Sequence, residues 1–227
     1  MANLKENMGA PNTVEETLGK NEAFFLKYKK QIIGIVIAIV VIIAGAILYH
    51  TYVATPKEQK ASTVLAKGQD YFAQEQFDKA LNGDGAAFPG FLKVASEYSS
   101  TDAGNLANLY AGLCYANMGK WTEAADYLNK FDGADDQMIS PAAEAALGNA
   151  YAHLKDYDKA VKYLKSAAEK SDNNSLSPTF LIQAGEILES QGKKAEALEL
   201  YKQVKEKYFN SMQYQTIDKY IERASAK

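Results

Sequence analysis

The chain has 227 residues, 47% apolar and 23% charged, with a formal net charge of −3. Its acids and lysines are interspersed without a basic stripe, which removes the electrostatic basis for nucleic-acid binding. A single cysteine, Cys114, excludes an internal disulfide and a multi-cysteine metal site.

Residues 1–11 carry Gly9, Pro11 and no periodicity, and read as a disordered start. Thr13 and Glu16 then have the capping-box spacing. Val14, Leu18 and Phe25, flanked by Phe24 and Tyr28, put an apolar stripe on the short helix that begins there, suited to a lipid surface or to a partner. Residues 32–48 follow, seventeen positions without a charged or polar side chain. With their flanks they cover about 27 to 30 Å as a helix, one hydrocarbon core. Lys27, Lys29 and Lys30 crowd the N-terminal flank, whereas only His50 precedes Lys57 on the other, so the N-terminus is expected to be cytoplasmic. The resulting layout is a cytoplasmic segment at 1–31, a transmembrane helix at 32–49, a linker at 50–56 and an extracytoplasmic domain at 57–227. Two alternatives compete with an anchor: a buried core helix, and a signal peptide cleaved near Ala44-Gly45-Ala46. The long preceding region with Glu6, Glu15, Glu16 and Glu22 favours the uncleaved anchor.

Thr55-Pro56 has the look of an N-cap followed by a first-turn proline. From there the pattern is helical to the end, with alanines, leucines and tyrosines at three- and four-residue spacing. The dominant signal is internal repetition. Gly68-x-x-Tyr71 with Phe77 and Ala80 returns as Gly112-x-x-Tyr115 with Trp121 and Ala124, as Gly148-x-x-Tyr151 with Tyr157 and Ala160, and as Gly185-x-x-Leu188 with Ala197. The alanine always comes twelve residues after the glycine, and the glycines are 44, 36 and 37 apart. A glycine on one helix and an alanine on the next allow close approach, so each unit is expected to be a helical hairpin. Ser140-Pro141 and Ser177-Pro178 are expected to start first helices as N-cap and proline, with Gly104 at the equivalent place in its repeat. Gly119 and Gly192, seven residues after their repeat glycines, are expected to end first helices in the left-handed region. The extra residues of the first unit fall in 82–90, where Gly83, Gly85, Pro89 and Gly90 break any helix. Phe88 and Phe91 there are expected to pack back onto the first hairpin. Ser211 reads as an N-cap of a terminal helix with Tyr214, Ile217 and Ile221 on one face, the cap a solenoid requires.

No catalytic constellation stands out. His50 and His153 are too far apart to suggest a metal pair, no phosphate-cradling loop or nucleophile elbow is present, and Cys114 reads as a small buried hydrophobe. No enzyme activity, cofactor or metal is expected.

The Gly-x-x-Tyr and Ala marks resemble the tetratricopeptide repeat. The last unit departs from it at Leu188 and Lys194, the family's tryptophan position holds Asn108 and Glu144, and its final alanine position holds Phe131 and Val204, with Ala167 matching. The resemblance implies an all-α fold in which one N-terminal transmembrane helix precedes a solenoid of about four hairpins and a C-terminal capping helix. It also implies a groove on the first helices that holds protein partners or peptide segments. In the family's register that groove would present Ser62, Leu65, Gln69 and Phe72, then Leu106, Leu109 and Leu113, then Ala145, Asn149 and His153, then Ile182, Glu186 and Glu189. The leucines divide evenly between groove and core as readings. No lysine or arginine appears among these positions, so the family's carboxylate clamp is missing. The layout of short cytoplasmic segment, single anchor and outer repeat domain is similar to that of the YfgM-type ancillary subunits of the bacterial Sec translocon. That likeness implies the bacterial inner membrane, with the C-terminal domain in the periplasm and the translocon and periplasmic chaperones as partners. A structural scaffold with one folded partner, serving an envelope or division complex, is the competing expectation.

Overall fold

The computed structural model describes the backbone of residues 13–226 and the side chains of residues 26–226. The expected disordered start and the Val14, Leu18 and Phe25 side chains lie outside the described residues. Every regular element among them is helical, and the chain divides after Thr55 into two compact units.

In the first unit α1 (Thr13–Tyr49) runs unbroken from the expected short helix through the apolar run, and a π-helical turn, His50–Ala54, follows. None of the apolar side chains of this stretch, residues 32–48, is buried. Among the described residues it is the one segment long and apolar enough to cross a membrane. Thr55 does not act as the expected N-cap: its backbone is already helical (φ −62°, ψ −49°), and its hydroxyl donates to the His50 carbonyl at 2.9 Å.

The second unit starts at Pro56, inside α2 (Thr55–Ala73). It continues with α3 (Phe77–Asn82), α4 (Phe91–Glu97), α5 (Asp102–Asn117), α6 (Trp121–Leu128), α7 (Ile139–His153), α8 (Tyr157–Ser171), α9 (Ser177–Ser190) and α10 (Lys194–Lys207). A 3-10 turn, Met212–Gln215, and α11 (Ile217–Ser225) close the chain. Four hairpins result, α2 with α3 and α4, α5 with α6, α7 with α8, and α9 with α10. Each is locked by its glycine. A Cβ on Gly112 would lie 2.6 Å from Leu128 Cγ, one on Gly148 would lie 3.0 Å from Leu164 Cγ, and one on Gly185 would collide with the Tyr201 ring. In all three the partner comes sixteen residues after the glycine. The repeat alanines Ala80, Ala124, Ala160 and Ala197 are fully buried on the second helices.

The first hairpin reaches the same packing by another route. Its second helix is split into α3 and α4, and the intervening loop and the first residue of α4 deliver Phe88 and Phe91, both buried, against Gly68. Asp84 holds the loop in shape, accepting from the amides of Phe88 and Ala86 at 2.9 Å each and from the Tyr71 hydroxyl at 2.9 Å. Those amides, followed by the Tyr71 hydroxyl, favour the charged carboxylate and hold Asp84 down to about 2.

Helix starts differ from the expected pattern at the two Ser-Pro steps. Ser140 and Ser177 lie within the first turns of α7 and α9 and do not cap them. The acceptors for the free amides come from four residues upstream of each serine. Asp136 accepts from Met138 and Ile139 at 2.8 and 2.6 Å, and Asn173 Oδ1 accepts from Ser175 and Leu176 at 2.9 Å each. The serine hydroxyls bond sideways instead, Ser140 to Asp136 and Ser177 to Ser171. The α5 amides of Asp102 and Ala103 are received by Glu58 of α2 at 2.7 and 3.1 Å, which ties the first two hairpins together. First helices end as the spacing predicts, with Gly119 (φ 73°) and Gly192 (φ 75°) left-handed. The same position in the other two hairpins holds Glu75 (φ 58°) and Lys155 (φ 62°). At the C-terminus Ser211 Oγ accepts from the Tyr214 amide at 3.2 Å, and Ile217 is buried with Ile221 partly covered. Tyr214 points outward rather than sharing their face.

Lys155 carries the left-handed strain of an L-residue without a compensating side-chain bond, so Lys155→Gly should stabilise the protein by up to about 1 kcal/mol. A denaturant melt of the full chain in detergent, with unchanged slope and a higher midpoint, would show it; a lower midpoint would contradict the backbone assignment. The Ser140 hydroxyl, followed by the α7 amides, holds the Asp136 carboxyl down from 3.8 to about 2. Its folded value is the lower one, so its contribution is full above the unfolded value and is lost as pH falls through about 2. The stability gap between the wild type and Asp136→Ala should therefore narrow on acidification across that window, and a gap independent of pH would count against the cap.

Candidate peptide groove

The repeat glycine sets the phase of each first helix, and with it the direction of every other side chain. A helix advances about 100° per residue, which places the residue three before the glycine about 60° round from it. In this fold that direction points at the next hairpin. Leu65, Leu109, Ala145 and Ile182 occupy this position and are 4, 7, 2 and 7% exposed. Leu109 packs with Ala143, Leu147 and Ala150 of α7, and Leu65 shares a core with Ala103, Ala107 and Ala111 of α5. Leu65 and Leu109 are thus core residues, contrary to their expected place on the groove, because the following hairpin covers them.

The open surface lies mainly one, four and five residues after the glycine, although Leu113 and Glu189 at these positions are taken into packing and Ile187 lies two after its glycine. A groove of about 620 Å³ crosses α5, α7 and α9, lined by Ala116 and Asn117, by Asn149, Ala152 and His153, and by Glu186, Ile187 and Ser190. Ala146 and Gln183, two before their glycines, form its floor, and Trp121 at the start of α6 closes one side. Of the expected groove residues Asn149, His153 and Glu186 are in this groove. Leu106 and Leu113 are half-buried against the core between the second and third hairpins. Gln69 and Phe72 lie at the first hairpin, where Gln69 Nε2 donates to the Tyr110 hydroxyl at 3.0 Å and the Phe72 ring meets Phe77 and Tyr110 edge-on at 5.6 and 5.3 Å.

Trp121, Gln183 and Asn117 are among the groove residues that were not anticipated as such. Trp121 stacks face to face on His153 with ring centroids 3.6 Å apart and an interplanar angle of 2°, forming a flat aromatic platform. Trp121 is an aromatic mark of its repeat, and nothing local announces a partner 32 residues away. Gln183 and Asn117 have no sequence signal beyond helical phase. The Gln183 Oε1 atom is buried and accepts no hydrogen bond, and the Asn149 side chain makes none, among the described residues. Glu186 is the one carboxylate lining the groove, and no lysine or arginine does so among the described residues. Glu189, expected in the groove, instead knots three helices: it accepts from Tyr201 of α10 at 2.7 Å and pairs with Arg223 of α11. The arginine, followed by the Tyr201 hydroxyl, holds its carboxyl below the usual range, and burial with the Glu189 bond pushes the Tyr201 phenol up.

Elsewhere the chemistry is structural. Burial pushes the Cys114 thiol up to about 12, so it stays protonated. A second cavity of about 530 Å³ beside the α6–α7 loop contains Asp136, which is spent on the α7 amides, and Glu144, which pairs with Lys170 at 2.8 Å. No cluster of three metal-ligating side chains occurs among the described residues.

The sequence model of the tetratricopeptide repeat-like domain family matches residues 22–221. Comparison with curated proteins finds no match. Among solved structures, a Podosopora anserina protein described as a kinesin light chain with nearly identical TPR-like repeats superposes with a TM-score of 0.57 and 14% identity, over 74% of this chain and 86% of that one. The MamA protein superposes with a TM-score of 0.53 and 17% identity, over 72% and 89%. At these identities the likeness is one of fold.

The placement of the leucines yields a direct contrast. Leu109→Ser should cost about 2 to 5 kcal/mol, as for other fully buried leucines, whereas Leu113→Ser, half-covered, should cost well under half of that. Denaturant midpoints of the two variants in the full chain decide it; equal costs would mean the helix phase is wrong.

Proposed function

Because the chain belongs to the tetratricopeptide repeat-like domain family, whose fold serves protein–protein interaction, we propose that its groove holds an extended segment of a partner polypeptide at a membrane surface. The observation that carries this reading is the unspent hydrogen-bonding capacity of the groove: the free Asn149 carboxamide and the buried, unpartnered Gln183 oxygen. A carboxamide offers both donor and acceptor, the same complement as a peptide backbone. Ala116, Ala146 and Ala152 leave room for a main chain to approach, and the Trp121–His153 platform offers an apolar flat face to one side chain of the ligand. With no cation in the groove, an internal segment fits better than a C-terminal carboxylate, and affinity should respond weakly to salt.

The family match starts at residue 22 and runs through the apolar stretch into the repeats, which supports reading anchor and solenoid as one design. Together with the lysine excess before residue 32, this favours a single-pass protein with a cytoplasmic N-terminus and the repeats outside, on the periplasmic side of a bacterial inner membrane. Its role would be that of an ancillary subunit of the Sec translocon working with periplasmic chaperones on emerging chains.

A photoreactive residue at Asn149 tests the groove in native membranes. We expect adducts with many polypeptides, dependent on ongoing protein export and lost when Trp121 and His153 are both changed to alanine in an otherwise folded protein. A single discrete adduct independent of export would replace this reading with that of a scaffold for one partner, and adducts unaffected by the double change would place binding outside the groove.

A further inference from the structure

The loops leading into the first helices share one edge of the repeat domain, and hydrogen bonds join them in series. Lys57 Nζ donates to Ser100 Oγ at 2.8 Å, Asn105 Nδ2 to the Asp132 carbonyl at 2.7 Å, and Asn173 Nδ2 to the Gln137 carbonyl at 3.1 Å. Lys207 pairs with Asp172 at 2.7 Å, and Gln213 Nε2 donates to Thr179 Oγ1 at 2.8 Å. The chain enters the domain at one end of this edge, at Pro56.

This edge also collects the domain's uncovered apolar side chains. Six large ones are exposed among its described residues, and five of them, Met138, Ile139, Phe209, Met212 and Tyr214, lie in or at the end of the segments leading into α7 and α11. Only Leu154 lies on the opposite edge, at the α7–α8 turn. Met212 and Phe209 are 87 and 61% exposed. The five form two projecting tips, at the α6–α7 loop and the α10–α11 loop, with the polar Asp172, Asn174 and Ser175 between them. Projecting tips of Phe, Met and Tyr fit a soft surface that closes around each of them, as the headgroup and acyl boundary of a bilayer does. The eight residues from Leu48 to Pro56 reach at most about 28 Å even when extended, so an anchored chain keeps the start of the repeat domain, at Pro56, near the membrane.

From this coincidence we infer that the edge is a second membrane contact: the α6–α7 and α10–α11 tips insert into the lipid interface from which the anchor emerges. Two points of attachment, the anchor and the far tip at Phe209 and Met212, would hold the solenoid with its row of loops along the bilayer. The groove residues, which lie along the first helices, would then stay open to chains arriving at the membrane. The inference rests on the anchored reading given above, and its test separates the two.

The full chain is reconstituted into phosphatidylcholine nanodiscs carrying a nitroxide-labelled lipid, with one fluorophore placed through Ile39→Cys, Phe209→Cys, Met138→Cys or Asp158→Cys in separate Cys114→Ala proteins. The expected result is lipid-dependent quenching at 39, 209 and 138, several-fold above that at 158 on the opposite edge. Quenching at 39 but no more at 209 and 138 than at 158 would overturn the edge contact and leave the anchor standing. No quenching at 39 would remove both. A Met138→Ser, Phe209→Ser, Met212→Ser protein labelled at Ser175→Cys supplies the converse: these side chains are exposed, so its melt should match the wild type while the lipid quenching at 175 falls several-fold. Retention of that quenching would show that the apolar tips do not make the contact.

Discussion

A bare glycine on the first helix of each hairpin receives a large side chain, or in the first hairpin two, from the segment that packs against it, and the rest of the solenoid is arranged around that contact. Leu128, Leu164 and Tyr201 each fill the space that a methyl group at Gly112, Gly148 or Gly185 would take. The close approach brings the repeat alanine into the same interface, where anything larger would force the helices apart. Once the glycine faces inward, helical geometry leaves no freedom to the others. The residue three before it meets the next hairpin, and the one five after it, Asn117, His153 or Ser190, lines the open groove. The binding surface is therefore what remains after the core has chosen its face.

That order of events explains what could be read from the residues and what could not. The spacing of glycine and alanine, the left-handed helix ends at Gly119 and Gly192, and the inward turn of Phe88 and Phe91 all have local steric causes, and the structure has them as expected. The groove lies a fraction of a turn from the family's register, in which Leu65 and Leu109 divide evenly between groove and core as readings, because both face the following hairpin. Burial of leucine is the ordinary outcome of the hydrophobic effect, and here the neighbouring hairpin provides it. The Trp121–His153 platform and the Gln183 oxygen depend on contacts between hairpins, which no single repeat displays. The Ser-Pro steps misled for a related reason: the acceptors are Asp136 and Asn173, placed by loops whose conformation is set by the hairpins on either side.

The first hairpin shows how tolerant the scheme is. Its second helix is interrupted by a loop rich in glycine, yet Asp84 gathers the loop amides and returns two phenylalanines to the place that one side chain fills in the other hairpins. Phe91 then stacks on Tyr110 of α5 at 5.1 Å, carrying the packing into the next unit. The opposite end is closed differently, by Glu189 joining Tyr201 and Arg223, so that both ends of the solenoid are sealed by polar groups acting on aromatic rings. Between them the groove keeps the Asn149 carboxamide and the Gln183 oxygen unspent, whereas in the second cavity Asp136 is taken up by the α7 amides and Glu144 faces Lys170.

If the glycine contact governs the architecture, the penalty for filling Gly185 must depend on the ring opposite it. A double-mutant cycle of Gly185→Ala and Tyr201→Ala, read from denaturant unfolding of the full chain, measures this. The three atoms nearest to the added methyl are all in the Tyr201 side chain, so Gly185→Ala should be costly alone and nearly free once the ring is gone, with a coupling of about 1 to 3 kcal/mol. Additivity within about 0.5 kcal/mol would mean that the helices are spaced by something else, and the assignment of core and groove faces would lose its basis.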